Sequence, residues 1–188
     1  MKVTIGVSNR HIHLKQEDFD YLFGENYSLE KVRPINQPGQ YASSSFVTLK
    51  GEKGTIENVR VLGPIRPYTQ VEISKTDAYK LGVNPPVRKS GDLKESAPIT
   101  IIGPKGTLEL NEGCIIADRH IHVLPEQRKQ YELEGKDTVS VRLFGPKGGI
   151  IEGVHIREAD NSYYEMHIDT DDANAHLVGN GDIAEIID

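Results

Sequence analysis

A single cysteine, Cys114, stands in 188 residues, so no internal disulfide forms and no Cys-based zinc cluster is available; a reducing compartment fits. No stretch approaches the roughly 20 consecutive apolar residues of a transmembrane helix. The opening MKVTIGVSNRHIHL lacks the apolar stretch of a signal peptide, because polar Ser8, Asn9 and Arg10 follow almost at once. Basic residues are outnumbered, 22 Lys and Arg against 28 Asp and Glu, which argues against a general nucleic-acid binder. These absences lead to the expectation of a cytoplasmic protein with neither membrane nor nucleic acid as partner. What remains, 37% apolar residues, suffices for the packed core of one or two domains. The acidic excess is uneven. Residues 1–95 carry 14 Lys and Arg against 11 Asp and Glu, and residues 96–188 carry 8 against 17. The basic first half reads first as a solvated surface, as long Lys and Arg side chains usually are, and only second as a seat for a polyanionic ligand.

The chain repeats itself. SNRHIHL at 8–14 returns as ADRHIHV at 117–123, and GTIENVRV at 54–61 resembles GIIEGVHI at 149–156. The second pair is offset by 95 residues, and the same offset lays YTQVEISKTDA (68–78) over YYEMHIDTDDA (163–173). Each half reads as an RHIH segment, then strands, then a short helix. Short β-branched runs such as VTIGV, SFVTL, NVRVL, QVEIS, APITII, TVSVRLF and GVHI are separated by Gly and Pro turn signals. GEKG (51–54) and GPKG (103–106 and 145–148) read as hairpin turns rather than phosphate loops, because no long helix follows them. Helices are expected at 16–24 and 125–133, after Ser74 with Asp77 reaching back to the cap amide, and after Asp169. Gly82 can end the helix after Ser74. The pattern predicts a mainly β protein of two small β-barrels or sandwiches with short helical caps, related by the internal repeat. The Pro-rich stretch 83–98 is the expected boundary.

In an extended strand, alternate side chains share a face, so His11 and His13 project together, as do His120 and His122. Two imidazoles on one face supply two legs of a divalent-metal site, and a site that does chemistry normally takes a third protein ligand. The repeat offers it, because Glu72 falls opposite His167. Two sites are therefore expected, His11 with His13 and Glu72, and His120 with His122 and His167. Arg66, six residues before Glu72 and just past a Gly-Pro turn, can take phosphate oxygens bidentately beside a dication. Arg10 and Arg119 point to the opposite strand face and read as structural ion pairs. His155, His176, Glu57 and Glu152 read as surface or structural residues, and Cys114 as a buried small hydrophobe.

Taken together, VSNRHIHL, QPGQYA (37–42), NVRVLGPIR (58–66), TQVEISKTDA (69–78), ADRHIHV and EMHIDTDDANA (165–175) resemble the phosphate propanoyltransferase family, the phosphotransacylases of the propanediol-utilisation type. The resemblance runs in order over nearly the whole chain. It implies a first barrel over 10–90, a connecting segment over 91–117, and a second barrel over 118–188 joined by the N-terminal strand 1–9. It also implies two divalent ions, usually zinc, in a site between the barrels. The ligands carried over are His11, His13 and Glu72 for one ion, and His120, His122 and His167 for the other, with Arg66 as the phosphate-contacting and catalytic arginine. The implied reaction is acyl-CoA, propanoyl or acetyl, plus phosphate giving acyl phosphate and CoA, by direct attack of metal-held phosphate. A homo-oligomer is compatible with it. Microcompartment members carry an amphipathic N-terminal segment before the GVSNRHIH strand; here five residues precede Gly6, which favours the cytoplasm.

Two other readings compete. Gly6 through HIHLKQE to Gly24 nearly fits the first motif of a cupin-like oxygenase or isomerase, with Glu17 as a ligand. A metal-dependent binding module without turnover is the other.

Overall fold

The computed structural model describes residues 1–187. The chain opens with β1 (Lys2–Ser8), the short β2 (His11–His13) and α1 (Gln16–Phe23). Then come β3 (Lys31–Pro34), β4 (Tyr41–Lys50), β5 (Thr55–Gly63), β6 (Gln70–Glu72), α2 (Lys75–Leu81) and β7 (Val87–Arg88). The hairpin of β8 (Ala97–Ile102) and β9 (Thr107–Ala117) leads into β10 (His120–Val123) and α3 (Pro125–Gln130). Last are β11 (Thr138–Leu143), β12 (Gly149–Glu158), β13 (Glu165–Asp169), α4 (Thr170–His176) and β14 (Ile183–Ile186). The chain divides into two compact units, Arg10–Ala117 and Met1–Asn9 with Asp118–Asp188.

In the unit Arg10–Ala117, six strands close in the order β4-β5-β2-β6-β9-β8, because β8 pairs with both β4 and β9. β3 and β7 extend it from β4 and β9. Its core is aliphatic, with Ile12, Leu49, Val59, Val61, Val71 and Ile101 almost fully buried. In the other unit the barrel closes as β1-β13-β10-β12-β11-β14. Ile121, Val141, Val154, Met166 and Ala184 fill it without exposure. The two closures match strand for strand around the RHIH copies. β2 lies between parallel β5 and antiparallel β6, and β10 between parallel β12 and antiparallel β13. In both copies the isoleucine of the HIH strand enters the core, worth about 1.5–3 kcal/mol each, which turns both histidines to the opposite face.

The N-terminal strand joins the barrel of the C-terminal half. β1 runs parallel to β13, Gly6 opposite His167. β9 does the converse, pairing with β6 so that Ile115 stands opposite Glu72. Each strand that precedes an RHIH copy thus completes the barrel that this copy does not belong to. The stretch 91–117, expected to connect, instead supplies β8 and β9. Its buried residues Ile99, Ile101, Cys114 and Ile115 need a sheet to cover them. The Pro-rich stretch 83–98 is no boundary either. It folds back on the first barrel, where the Gly91 N–H donates to Gln70 Oε1 at 2.7 Å.

Helix ends follow their caps. Ser74 Oγ accepts the Asp77 N–H at 3.2 Å, and Gly82, at φ 75°, ends α2. Asp169 Oδ1 does the same for Asp172 at 2.8 Å in α4. The Asp77 carboxylate goes to Arg10 Nε at 2.8 Å rather than to the cap amide. Its counterpart Asp172 meets Arg119 Nε at 3.4 Å. The arginine of each RHIH copy therefore ties its strand to the helix that follows the third candidate ligand.

Candidate metal centre

Register brings the first set together. His11 and Glu72 are directly opposite on β2 and β6, with His11 Nε2 3.4 Å from Glu72 Oε2. The His13 ring stands edge-on to His11 at 5.1 Å between centroids. The second set forms in the same way. His120 is opposite His167 on β10 and β13, and His120 Nε2 lies 3.0 Å from His122 Nε2. In each set, one donor atom per residue can be chosen so that all three lie within 4.8 Å.

Burial and neighbours set the protonation. Burial and then the adjacent His11 push the His13 imidazole down to about 2. Burial and then His120 and His167 do the same to His122. Both rings are therefore neutral near pH 7, with a lone pair to offer. Burial pushes the Glu72 carboxyl up, but His11, His13 and Arg66 together outweigh it and hold it well below the usual carboxylate range. The donors suit a divalent ion. Tetrahedral coordination at ~2.0–2.1 Å puts ligand atoms about 3.3 Å apart, near the 3.4 Å and 3.0 Å observed. Among the described residues His13 Nδ1 is buried and makes no hydrogen bond of normal geometry, and a contact of the ring with the Leu62 backbone only partly offsets its burial. The Asp118 carbonyl lies 2.8 Å from His120 Nδ1, so it can fix that ring's tautomer from behind.

Arg66 stands at the first set. Its backbone N–H donates to the Leu14 carbonyl at 2.9 Å, just past β2. The guanidinium donates to Gln40 Oε1 at 3.1 Å and Ser90 Oγ at 3.4 Å, and lies over the Tyr68 ring at 6.0 Å. It is near enough to lower both His13 and Glu72.

Other candidates stand apart. Glu17 is on α1, 85% exposed and paired with Lys15 at 3.0 Å, and is not in the His11 set, which removes the ligand that a cupin-like reading requires. His155 meets Asp118 Oδ2 at 3.0 Å, and His176 lies against the Lys147 carbonyl at 3.1 Å. Glu57 and Glu152 are exposed. Burial raises Cys114 to about 12, which leaves no thiolate for an acyl-enzyme. Residues that sequence reasoning passed over sit beside the ligands. They are Gln70, hydrogen-bonded to Glu72, Tyr163, with its hydroxyl 2.6 Å from His167 Nε2, and Glu165, 2.9 Å from the same nitrogen. All three lie inside the segments that the offset of 95 pairs, so the signal was present there.

The family model for phosphate propanoyltransferase matches residues 4–179. A curated phosphate propanoyltransferase of Thermotoga maritima is 51% identical over 187 residues, 99% of this chain and 89% of its own. The chain belongs to this family. A phosphate propanoyltransferase of Rhodopseudomonas palustris is 46% identical, over 98% of this chain and 82% of its own. One of Salmonella typhimurium is 46% identical, over 92% of this chain and 82% of its own. Membership makes the chain an acyltransferase of the phosphotransacylase kind, and the mainly β, double-barrel architecture is the one that the sequence resemblance implies. No helix among the described residues is long and apolar enough to cross a membrane.

Proposed function

We propose that this chain transfers the acyl group of propanoyl-CoA or acetyl-CoA to inorganic phosphate, reversibly, in the cytoplasm. His11, His13 and Glu72 hold one divalent ion, and His120, His122 and His167 hold a second that serves the same reaction. The observation that carries this reading is the assembly of two three-donor sets at the same register in two barrels of one family member. Three protein donors leave a coordination position for substrate, as catalytic zinc sites do and closed structural sites do not. That is also the argument against a binding module without turnover.

Bound ions would supply Lewis-acid charge to phosphate and to the thioester carbonyl. The remaining work falls to the chain. Arg66, anchored by Gln40 and Ser90, presents a planar fork to phosphate oxygens and offsets their charge. A phosphate oxygen attacks the thioester carbonyl, the C–S bond breaks, and CoA leaves as thiolate. Direct attack is favoured because the sole cysteine is buried and protonated, so no covalent acyl-thiol step is available to it. Neutral His13 and His122 hold their places without taking the proton.

The test is thiol release from propanoyl-CoA and acetyl-CoA, with and without phosphate, before and after chelation and zinc restoration. Release that needs both phosphate and metal is the expected result. Release without phosphate would make the chain a thioesterase, and release unaffected by chelation would remove the metal from the reading.

A further inference from the structure

The offset of 95 that lays Glu72 over His167 also lays Gln70 over Glu165. Each stands two residues before the third donor of its set, on the same strand face. Gln70 is fully buried and Glu165 is 7% exposed. Gln70 Oε1 accepts the Gly91 N–H, so its amide nitrogen turns the other way and donates to Glu72 Oε1 and to Ser90 Oγ. Glu165 sets Oε1 2.9 Å from His167 Nε2. An ionised carboxylate there can only accept, and the Tyr163 hydroxyl, 2.6 Å from the same nitrogen, can accept as well, so a proton on Nε2 serves both and leaves the lone pair on Nδ1. That Nε2 lies over β1, since a Cβ built on Gly6 would fall 3.1 Å from it and 2.5 Å from Glu165 Oε1. β1 flanks β13 on the side away from β10, the strand that carries His120 and His122.

Each set thus holds two strand imidazoles and one carboxylate, but the carboxylate changes place. In the first it is the third donor, backed by a neutral amide. In the second it backs the third donor, which is an imidazole. We propose that Glu165 is the positioning residue of the His120, His122 and His167 set, holding the Nε2 proton of His167, turning Nδ1 toward the ion and supplying the negative charge that Glu72 supplies to the other set. This rests on the reading that each set holds a divalent ion. Carboxylates behind metal-binding histidines orient the ring and raise its basicity, and their loss typically costs about 10–100-fold in affinity.

The test is zinc affinity of the full chain, by competition with a chromophoric chelator, for the parent, Glu165→Gln and Glu165→Ala. The expected parent holds two equivalents. Glu165→Gln keeps the shape and one acceptor but removes the charge, and weakens one equivalent about 10-fold. Glu165→Ala weakens it up to about 100-fold and leaves the other unchanged. In a His167→Ala chain, adding Glu165→Gln changes nothing further. Two tight equivalents in both Glu165 variants would overturn the proposal, as would equal weakening of both equivalents, the mark of a general structural defect. A parent that binds no zinc would defeat the metal reading itself, and the proposal with it.

Discussion

Cys114 has its side chain in the core of the first barrel, at 0% exposure among apolar neighbours that include Val71. Removing water from a thiolate is costly, so burial raises the thiol from 9.0 to about 12. The folded chain then keeps a proton that the unfolded chain releases above pH 9. Stability from this residue is intact below pH 9 and is lost as pH climbs from 9 toward about 12. In urea unfolding between pH 8 and 10.5, the parent is expected to lose more stability with rising pH than Cys114→Ala does. Parallel pH curves for the two chains would show the thiol to be solvated. At this scale the histidine pairs were legible, because HxH in a strand fixes a shared face and the repeat supplied Glu72 and His167. Gln70 and Glu165 stood inside the segments that the offset of 95 pairs, but nothing in their residue types marked a role, since a buried amide and a buried carboxylate announce themselves only by their partners.

Among the elements, three glycine turns do more than reverse the chain. Gly51, Gly103 and Gly145 each open a G-x-K-G turn against the C-terminal end of a helix. A Cβ on them would fall 2.2 Å from the Leu81 carbonyl oxygen, 2.5 Å from that of Leu22 and 2.1 Å from that of His176. Two of these turns also cap, with the Lys53 N–H donating to the Leu81 carbonyl at 2.9 Å and the Lys105 N–H to that of Leu22 at 3.0 Å. The turns read from sequence therefore answer the unsatisfied carbonyls of short helices. Because the clashing atom is backbone, Gly145→Ala is expected to cost about 1–3 kcal/mol in denaturant unfolding. Gly179→Ala, with nothing within 4 Å of the added Cβ, is expected to stay within about 0.5 kcal/mol. Equal costs at the two positions would refute the contact. Helix starts were legible at Ser74 and Asp169 because a cap is a local device. β9 was missed because TLELNEGCIIA is acidic over its first half and interrupted by Gly113, at φ 139°.

For the molecule as a whole, the chain leaves one barrel for the other immediately before each RHIH copy, at Asn9–Arg10 and Ala117–Asp118. The RHIH copies are 109 residues apart, whereas the strands and helices that follow repeat at 95. The difference falls between the RHIH strand and the following hairpin strand, where residues 14–53 of the first half answer only 123–148 of the second and β3 is the extra strand. Composition placed a boundary at 83–98 because Pro, Gly and charged residues resemble a linker. Which barrel a strand completes is decided by long-range pairing, such as Gly6 with His167 and Ile115 with Glu72. No local pattern records that choice, so only the family resemblance anticipated where β1 goes.

The most direct measurement is a titration of metal-free chain with zinc, following phosphate-dependent CoA release from propanoyl-CoA. If the two sets serve one reaction, release should rise with added zinc and level off at two equivalents per chain, with the metal-free chain inactive. Full release at zero or one equivalent would contradict the account.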